Sequence, residues 1–240
     1  MYKQNFPRLL RGAEVNYRSL TLVFVLLLTP LRAAADDHAW TVSLDKDEVT
    51  VELRREPGKS YRSFRATTEI NAGQASAIAL LQDHRVCTQW LYRCEESRIL
   101  QQLSPKERLF YQVTDLPFPA RSRDAVFHAV IQYHPDDSVE VIMTAAPEEL
   151  AATGHVRITE ATGSYLLEAL PGNRTRVTWQ QYVDPAGALP AWLVNSMMND
   201  LPYKSLIAFR ELVLSPPYAS ARFVYDDNQV PVDIHTDTDP

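Results

Sequence analysis

With 240 residues and 45% hydrophobic composition, the chain is long enough for one domain with a sizeable core. Its formal charge of −6 and lack of a basic tract argue against nucleic acid and against electrostatic docking to anionic lipid. Only 7 Gly are present, and no G-x-G-x-x-G, Walker, G-x-S-x-G or H-E-x-x-H pattern occurs, so no motif points to a nucleotide, a hydrolase elbow or a metal.

In chain order, Lys3, Arg8, Arg11 and Arg18 precede an apolar run from Leu20 to Leu31, and Ala33-Ala34-Ala35 supplies small residues before Asp36. That is the layout of a secretory signal peptide over 1–35. The run is short of the roughly 20 residues that a spanning helix needs. Cleavage would remove five basic residues (the four above and Arg32) and one acidic residue, Glu14, taking the charge from −6 to −10. Export would place Cys87 and Cys94 in an oxidising compartment and favours a disulfide between them. A redox pair would want C-x-x-C, and a metal site more ligands nearby.

Alternating patterns predict strands over Trp40–Leu44, Glu48–Glu56 and Tyr61–Ile70. Asn71 is placed to cap a helix over Ala72–Asp83. A loop around Cys87 leads to Trp90. Six strands follow: Glu95–Leu103, Arg108–Asp115, Asp124–His134, Ser138–Ala145, His155–Ala169 and Arg174–Val183. Turn signals at Ser104-Pro105, Pro117-Phe118-Pro119, Pro135-Asp136-Asp137 and Pro171-Gly172-Asn173 separate them.

Asp184-Pro185-Ala186-Gly187 then turns the chain into one long helix, Pro190–Leu214. Val194, Met197, Met198, Leu201, Ser205, Ala208, Phe209 and Leu212 share a stripe about 120° wide. Leu206 and Ile207 break the pattern, and Pro202 is either a hinge or a fixed bend. The acidic end, 215–240, reads as extended or disordered. An antiparallel sheet of this length must curl, and the long helix can lie across its concave face. Small residues there, such as Ala125 and Ala129, would leave a gap between sheet and helix, the kind of gap that becomes a ligand pocket. The expected class is α+β.

Three blocks resemble the START domain, the lipid-transfer member of the helix-grip, Bet v 1-like superfamily. They are Pro117-Phe118-Pro119-Ala120-Arg121-Ser122-Arg123-Asp124-Ala125-Val126, then Val177-Thr178-Trp179, then Asp184-Pro185 through Leu189-Pro190-Ala191-Trp192-Leu193-Val194-Asn195. The resemblance spans Val49 to Leu214, so the domain is set at 36–214. It implies a helix-grip fold with an internal hydrophobic tunnel that binds and carries one lipid without transforming it. It also implies the secreted bacterial single-domain type, in the periplasm. Sterol-carrying members hold a buried acidic–basic pair near the positions of Phe110 to Gln112 and Ala129. No charge stands there, so an acyl-chain ligand fits as well as a sterol.

The tunnel candidates are Phe110, Gln112, Phe127, Ile131, Val141, Met143, Tyr165, Trp179, Met197, Leu201 and Phe209. Arg123 is a further candidate. It either meets a ligand head group at the tunnel mouth or, with Asp124, ties the proline loop to the sheet by charge-assisted hydrogen bonds. The expected partners are a lipid or apolar small molecule and, transiently, a membrane; a monomer without cofactor, metal or catalytic residues is expected. Two alternatives remain: an aromatase/cyclase-like enzyme on the same fold, and an envelope protein-interaction module using the acidic tail.

Overall fold

Strand-forming β-branched and aromatic runs dominate the chain between two helical stretches, and the architecture follows from them. The computed structural model describes residues 39–189 and 191–237. The expected leader, 1–35, lies outside these residues. The elements are β1 (Thr41–Lys46), β2 (Val49–Arg55), β3 (Arg62–Ile70), α1 (Gln74–Gln82), α2 (Cys87–Trp90), β4 (Cys94–Ser104), β5 (Glu107–Thr114), β6 (Arg123–Tyr133) and β7 (Val139–Ala145). They continue with β8 (Val156–Arg157), β9 (Glu160–Leu170), β10 (Arg174–Asp184), α3 (Ala191–Leu212), β11 (Arg222–Tyr225) and β12 (Pro231–His235). The main sheet runs β1-β2-β3-β10-β9-β7-β6-β5-β4, antiparallel throughout, with β8 added parallel to β6. This is the α+β helix-grip architecture, with a curled sheet around a long C-terminal helix.

The concave face is apolar because strand residues alternate. On β6, Ala125, Phe127, Ala129 and Ile131 are all buried there. The core joins Val49 and Val51 of β2, Phe64 of β3, Leu167 of β9, Val177 of β10, Leu206 and Phe209 of α3, and Val213 just beyond it. Leu206 does not break the helix pattern as the stripe suggested. It is fully buried, because α3 is enclosed by β2 and β3 on one side and α2 on another.

Four sequence expectations need correction. Helix α1 starts later than expected. Asn71 does not cap it; Gly73 does, with no side-chain bond. A Cβ on Gly73 would stand 2.8 Å from Asn173 Oδ1, so a larger cap there would have to displace that side chain. The predicted strand His155–Ala169 is two, because residues 156–157 turn away to pair with β6. The region around Cys87 is not a loop but the short helix α2, and the Cys87–Cys94 disulfide is formed with Cα atoms 5.9 Å apart. Residues 215–237 are not extended or disordered. They form the β11–β12 hairpin, with Phe223 and Ile234 packed on the core and Phe223 against Tyr133.

Arg123 and Asp124 do not tie the loop as a pair. Adjacent strand residues face opposite sides of a sheet, so each clamps a different segment. Asp124, fully buried on the convex side, takes a bidentate contact from Arg157 (3.0 and 2.9 Å) and a hydrogen bond from Thr153 Oγ1 at 2.6 Å. Arg157 also donates to the carbonyls of Pro147 and Leu150, both at 2.9 Å. Burial pushes the Asp124 carboxyl up, but the Arg157 and Thr153 hydrogen bonds outweigh it and hold the group below the usual carboxylate range. Breaking such a pair from one side leaves a buried charge. Asp124→Ala is therefore expected to cost about 3–5 kcal/mol, read as a lower urea midpoint. An unchanged midpoint would show that this pair does not hold the 147–157 segment.

Candidate functional site

Two cavities lie between the concave face and the helices. The larger, about 130 Å³, sits under the first half of α3, where Leu193, Met197, Met198 and Leu201 face Ala125 and Phe127 of β6 and Trp179 and Val183 of β10. The smaller, about 60 Å³, sits deeper, beneath α1 and α2, bounded by Phe110, Ala129, Ile131, Val141, Met143 and Tyr165. The small side chains Ala125 and Ala129 each open onto one cavity.

Of the residues expected to line a tunnel, Phe110, Ile131, Val141, Met143 and Tyr165 border the inner cavity, and Arg123, Phe127, Trp179, Met197 and Leu201 the outer one. Gln112 borders both. Phe209 borders neither. It lies in the core, ring-to-ring with Trp90 at 5.2 Å, because the second half of α3 packs directly on the sheet.

The space is divided rather than a continuous tunnel. Phe110 stacks on Phe127 at 5.3 Å, and Tyr165 stacks on Trp179 at 5.1 Å. Each pair puts one ring against each cavity, so the two pairs stand between them, and among the described residues Gln112 borders both. A stacked pair contributes about 0.5–1.5 kcal/mol, while each buried methylene of a ligand contributes about 0.8 kcal/mol. A few methylenes are enough to offset the loss of both stacks. The indole N–H groups of Trp90 and Trp179, one residue beside each cavity, are buried without a hydrogen-bond partner.

Arg123 sits at the edge of the outer cavity, but its donors are occupied. It reaches the carbonyls of Pro185 (2.8 Å), Ala186 (2.9 Å) and Arg121 (2.6 Å). It fastens the proline loop to the strand–helix junction, so it positions the mouth of the cavity rather than presenting a free guanidinium there.

Several residues at the inner cavity are not among the sequence candidates, Arg108, His84, Ser97 and Asp83 among them. Arg108 precedes Phe110 by two on β5 and so shares its face; that period was the available signal. It lies directly across from Ala129, one rung from the position judged uncharged. His84 Nδ1 and Ser97 Oγ are 2.8 Å apart, and the imidazole lies against Phe110 at 4.5 Å. Burial, and then the positive charge of Arg108, hold the His84 pKa down at about 4. Elsewhere, His128 pairs with Glu107 and His134 with Glu140. Among the described residues no group of three or more His, Cys, Asp or Glu is arranged to hold a metal.

His84 gives the fold an acid sensitivity of known sign. Its folded pKa lies below its unfolded value of 6.5. Between pH 6.5 and 4 the unfolded chain therefore takes up a proton that the native one refuses, and stability falls as pH falls. The loss is on the order of 3 kcal/mol. His84→Gln should lose less stability than wild type between pH 7 and pH 4.5 in urea titrations; equal losses in the two proteins would show that His84 is not the group responsible.

The START domain family model matches residues 28–204. An uncharacterized protein of Pseudomonas aeruginosa is 31% identical over 179 residues, which is 74% of this chain and 87% of that protein. Among solved structures, the STAR-related lipid transfer protein from Xanthomonas axonopodis superposes with a TM-score of 0.68 at 27% identity, over 73% of this chain and 99% of that one. Human StAR-related lipid transfer protein 5 shares the fold, with a TM-score of 0.63 at 18% identity over 75% of this chain and 88% of its own. A curled sheet gripping α3, an apolar space between them and a family match over most of the chain agree: this protein belongs to the START domain family.

Proposed function

We propose that this protein binds one lipid-like molecule between its sheet and α3 and carries it, untransformed and as a monomer, within the cell envelope. The observation that carries this reading is the apolar cavity under the first half of α3. Membership of the START family and the relatives described as lipid transfer proteins support it. The leader pattern of 1–35 and the formed disulfide support an exported location.

The cavities are too small as they stand. Sites for drug-sized ligands occupy about 300–1,000 Å³, so uptake has to enlarge the space. α3 is built unevenly in a way that suits this. Among the described residues, its side-chain hydrogen bonds to the rest of the fold begin only after Pro202. Tyr203 bonds Asp47, Ser205 accepts from the Tyr92 backbone N–H at 2.9 Å, and Arg210 donates to the Asp47 carbonyl at 2.8 Å. The turn before Pro202 is held by apolar contact, and Pro202 leaves the Met198 carbonyl without its helical donor. The first half of α3 can thus swing about Pro202 while the second stays anchored. Beside the cavity mouth, Phe118 of the proline loop is 92% exposed, a plausible foot for brief membrane contact.

Native mass spectrometry of the exported protein, followed by organic extraction, should find one bound lipid on a chain that starts at Asp36. Delipidated protein that takes up no lipid from vesicles would overturn the proposal. In vesicle-to-vesicle transfer, Phe118→Asp should slow transfer several-fold at unchanged equilibrium binding. Pro202→Ala should slow uptake and release together. If neither variant changes the rate, the loop and the hinge have no part in transfer.

A further inference from the structure

The inner cavity contains a charge that its surroundings do not balance. Arg108 is 6% exposed. Among the described residues it forms no ion pair, and its one hydrogen bond is a long contact to the Pro105 carbonyl at 3.5 Å. Asp233, on the hairpin, is the carboxylate whose charge reaches it, but that side chain is turned to the backbone N–H of Ile234. The other charged group on the cavity wall is Asp83, and it is neutralised. Arg85 takes both of its oxygens at 2.8 and 2.9 Å, and the Tyr218 hydroxyl adds a hydrogen bond at 2.9 Å. His84 is uncharged at neutral pH. The cavity therefore carries one net positive charge, held out of water.

A buried cation without a partner is costly, and replacing it with an apolar residue of similar volume usually stabilises a protein. The unpaired charge points to an anion that arrives from outside. We propose, resting on the lipid-carrier reading, that the inner cavity is a head-group subsite for a carboxylate amphiphile, with Arg108 as counter-ion to the acid and the acyl chain running past Gln112 into the outer cavity.

Size selects the head group. A carboxylate is the smallest anionic head group of an amphiphile, so it asks the least enlargement of a cavity of about 60 Å³. The outer cavity, walled largely by apolar side chains, takes the tail. Arginine suits this role because its planar fork matches a carboxylate in a bidentate manner and it keeps its charge when buried.

The test is isothermal titration of delipidated protein at pH 8 with dodecanoate, 1-dodecanol and dodecyl phosphate. Wild type should bind the acid at least tenfold more tightly than the alcohol. Arg108→Met should bring the acid down to the affinity of the alcohol and leave the alcohol unchanged, and Arg108→Lys should keep part of the preference. Equal affinity of wild type for acid and alcohol overturns the subsite while leaving the carrier reading intact. Dodecyl phosphate binding as tightly as dodecanoate overturns the carboxylate assignment. Binding of none of the three overturns both readings. The wild-type comparison decides the matter even if a variant fails to fold.

Discussion

The buried guanidinium of Arg123 is the contact on which the site depends. A curled antiparallel sheet exposes an apolar concave face, and α3 is the element that covers it. The chain reaches α3 from β10 through a tight turn, where Asp184 accepts from the Ala186 N–H and Ala186 adopts a left-handed backbone. Arg123 holds two carbonyls of that turn and one of the proline loop. Hydrogen bonds to a charged group contribute about 1.5–3 kcal/mol each, enough to fix the angle at which the helix leaves the sheet. On the other face, Asp124 does the same for the 147–157 segment through Arg157. Two neighbouring residues on one strand thereby secure both sides of the fold.

Below that entry point α3 divides its labour at Pro202. The later turns carry the polar tethers and the fully buried Leu206 and Phe209. The earlier turns carry Met197, Met198 and Leu201 over the outer cavity. Methionine is adaptable, so this wall can reshape around an apolar ligand at little cost. A helix packed uniformly from end to end would have made a more stable protein and a closed one.

The sequence made the large features legible because they rest on periodicity. Alternation on β6 told which residues face inward, and the helical stripe told that α3 needs a concave partner. The errors came where three-dimensional context overrides a local rule. Asn71 is a good capping residue, but the helix starts only at Gln74 and Gly73 takes the cap beside the Asn173 side chain. The tail is acidic and proline-bearing, yet Phe223 and Ile234 give it something to bury. Phe209 shares a stripe with Leu201, but one faces the sheet core and the other the cavity, a distinction made by depth along the helix axis and not by angle around it. Arg108 lies within reach of the alternation rule, two residues before Phe110 and directly across from Ala129.

Several unpaired polar groups gather at the cavities, while two others, Arg93 Nε and Asn199 Oδ1, lie away from them. Arg108, the indole N–H of Trp90 and the indole N–H of Trp179 are each buried without a full complement of partners, and all three residues border the cavities. Each unpaired neutral donor costs about 1–3 kcal/mol. These three lower the stability of the fold and leave unmet polar demand where a ligand with an apolar body and a polar end could meet it. The stacked pairs that divide that space are weak enough to be parted by the same ligand's methylenes. The two stacked pairs together contribute about 1–3 kcal/mol, within the range that binding energy can reverse.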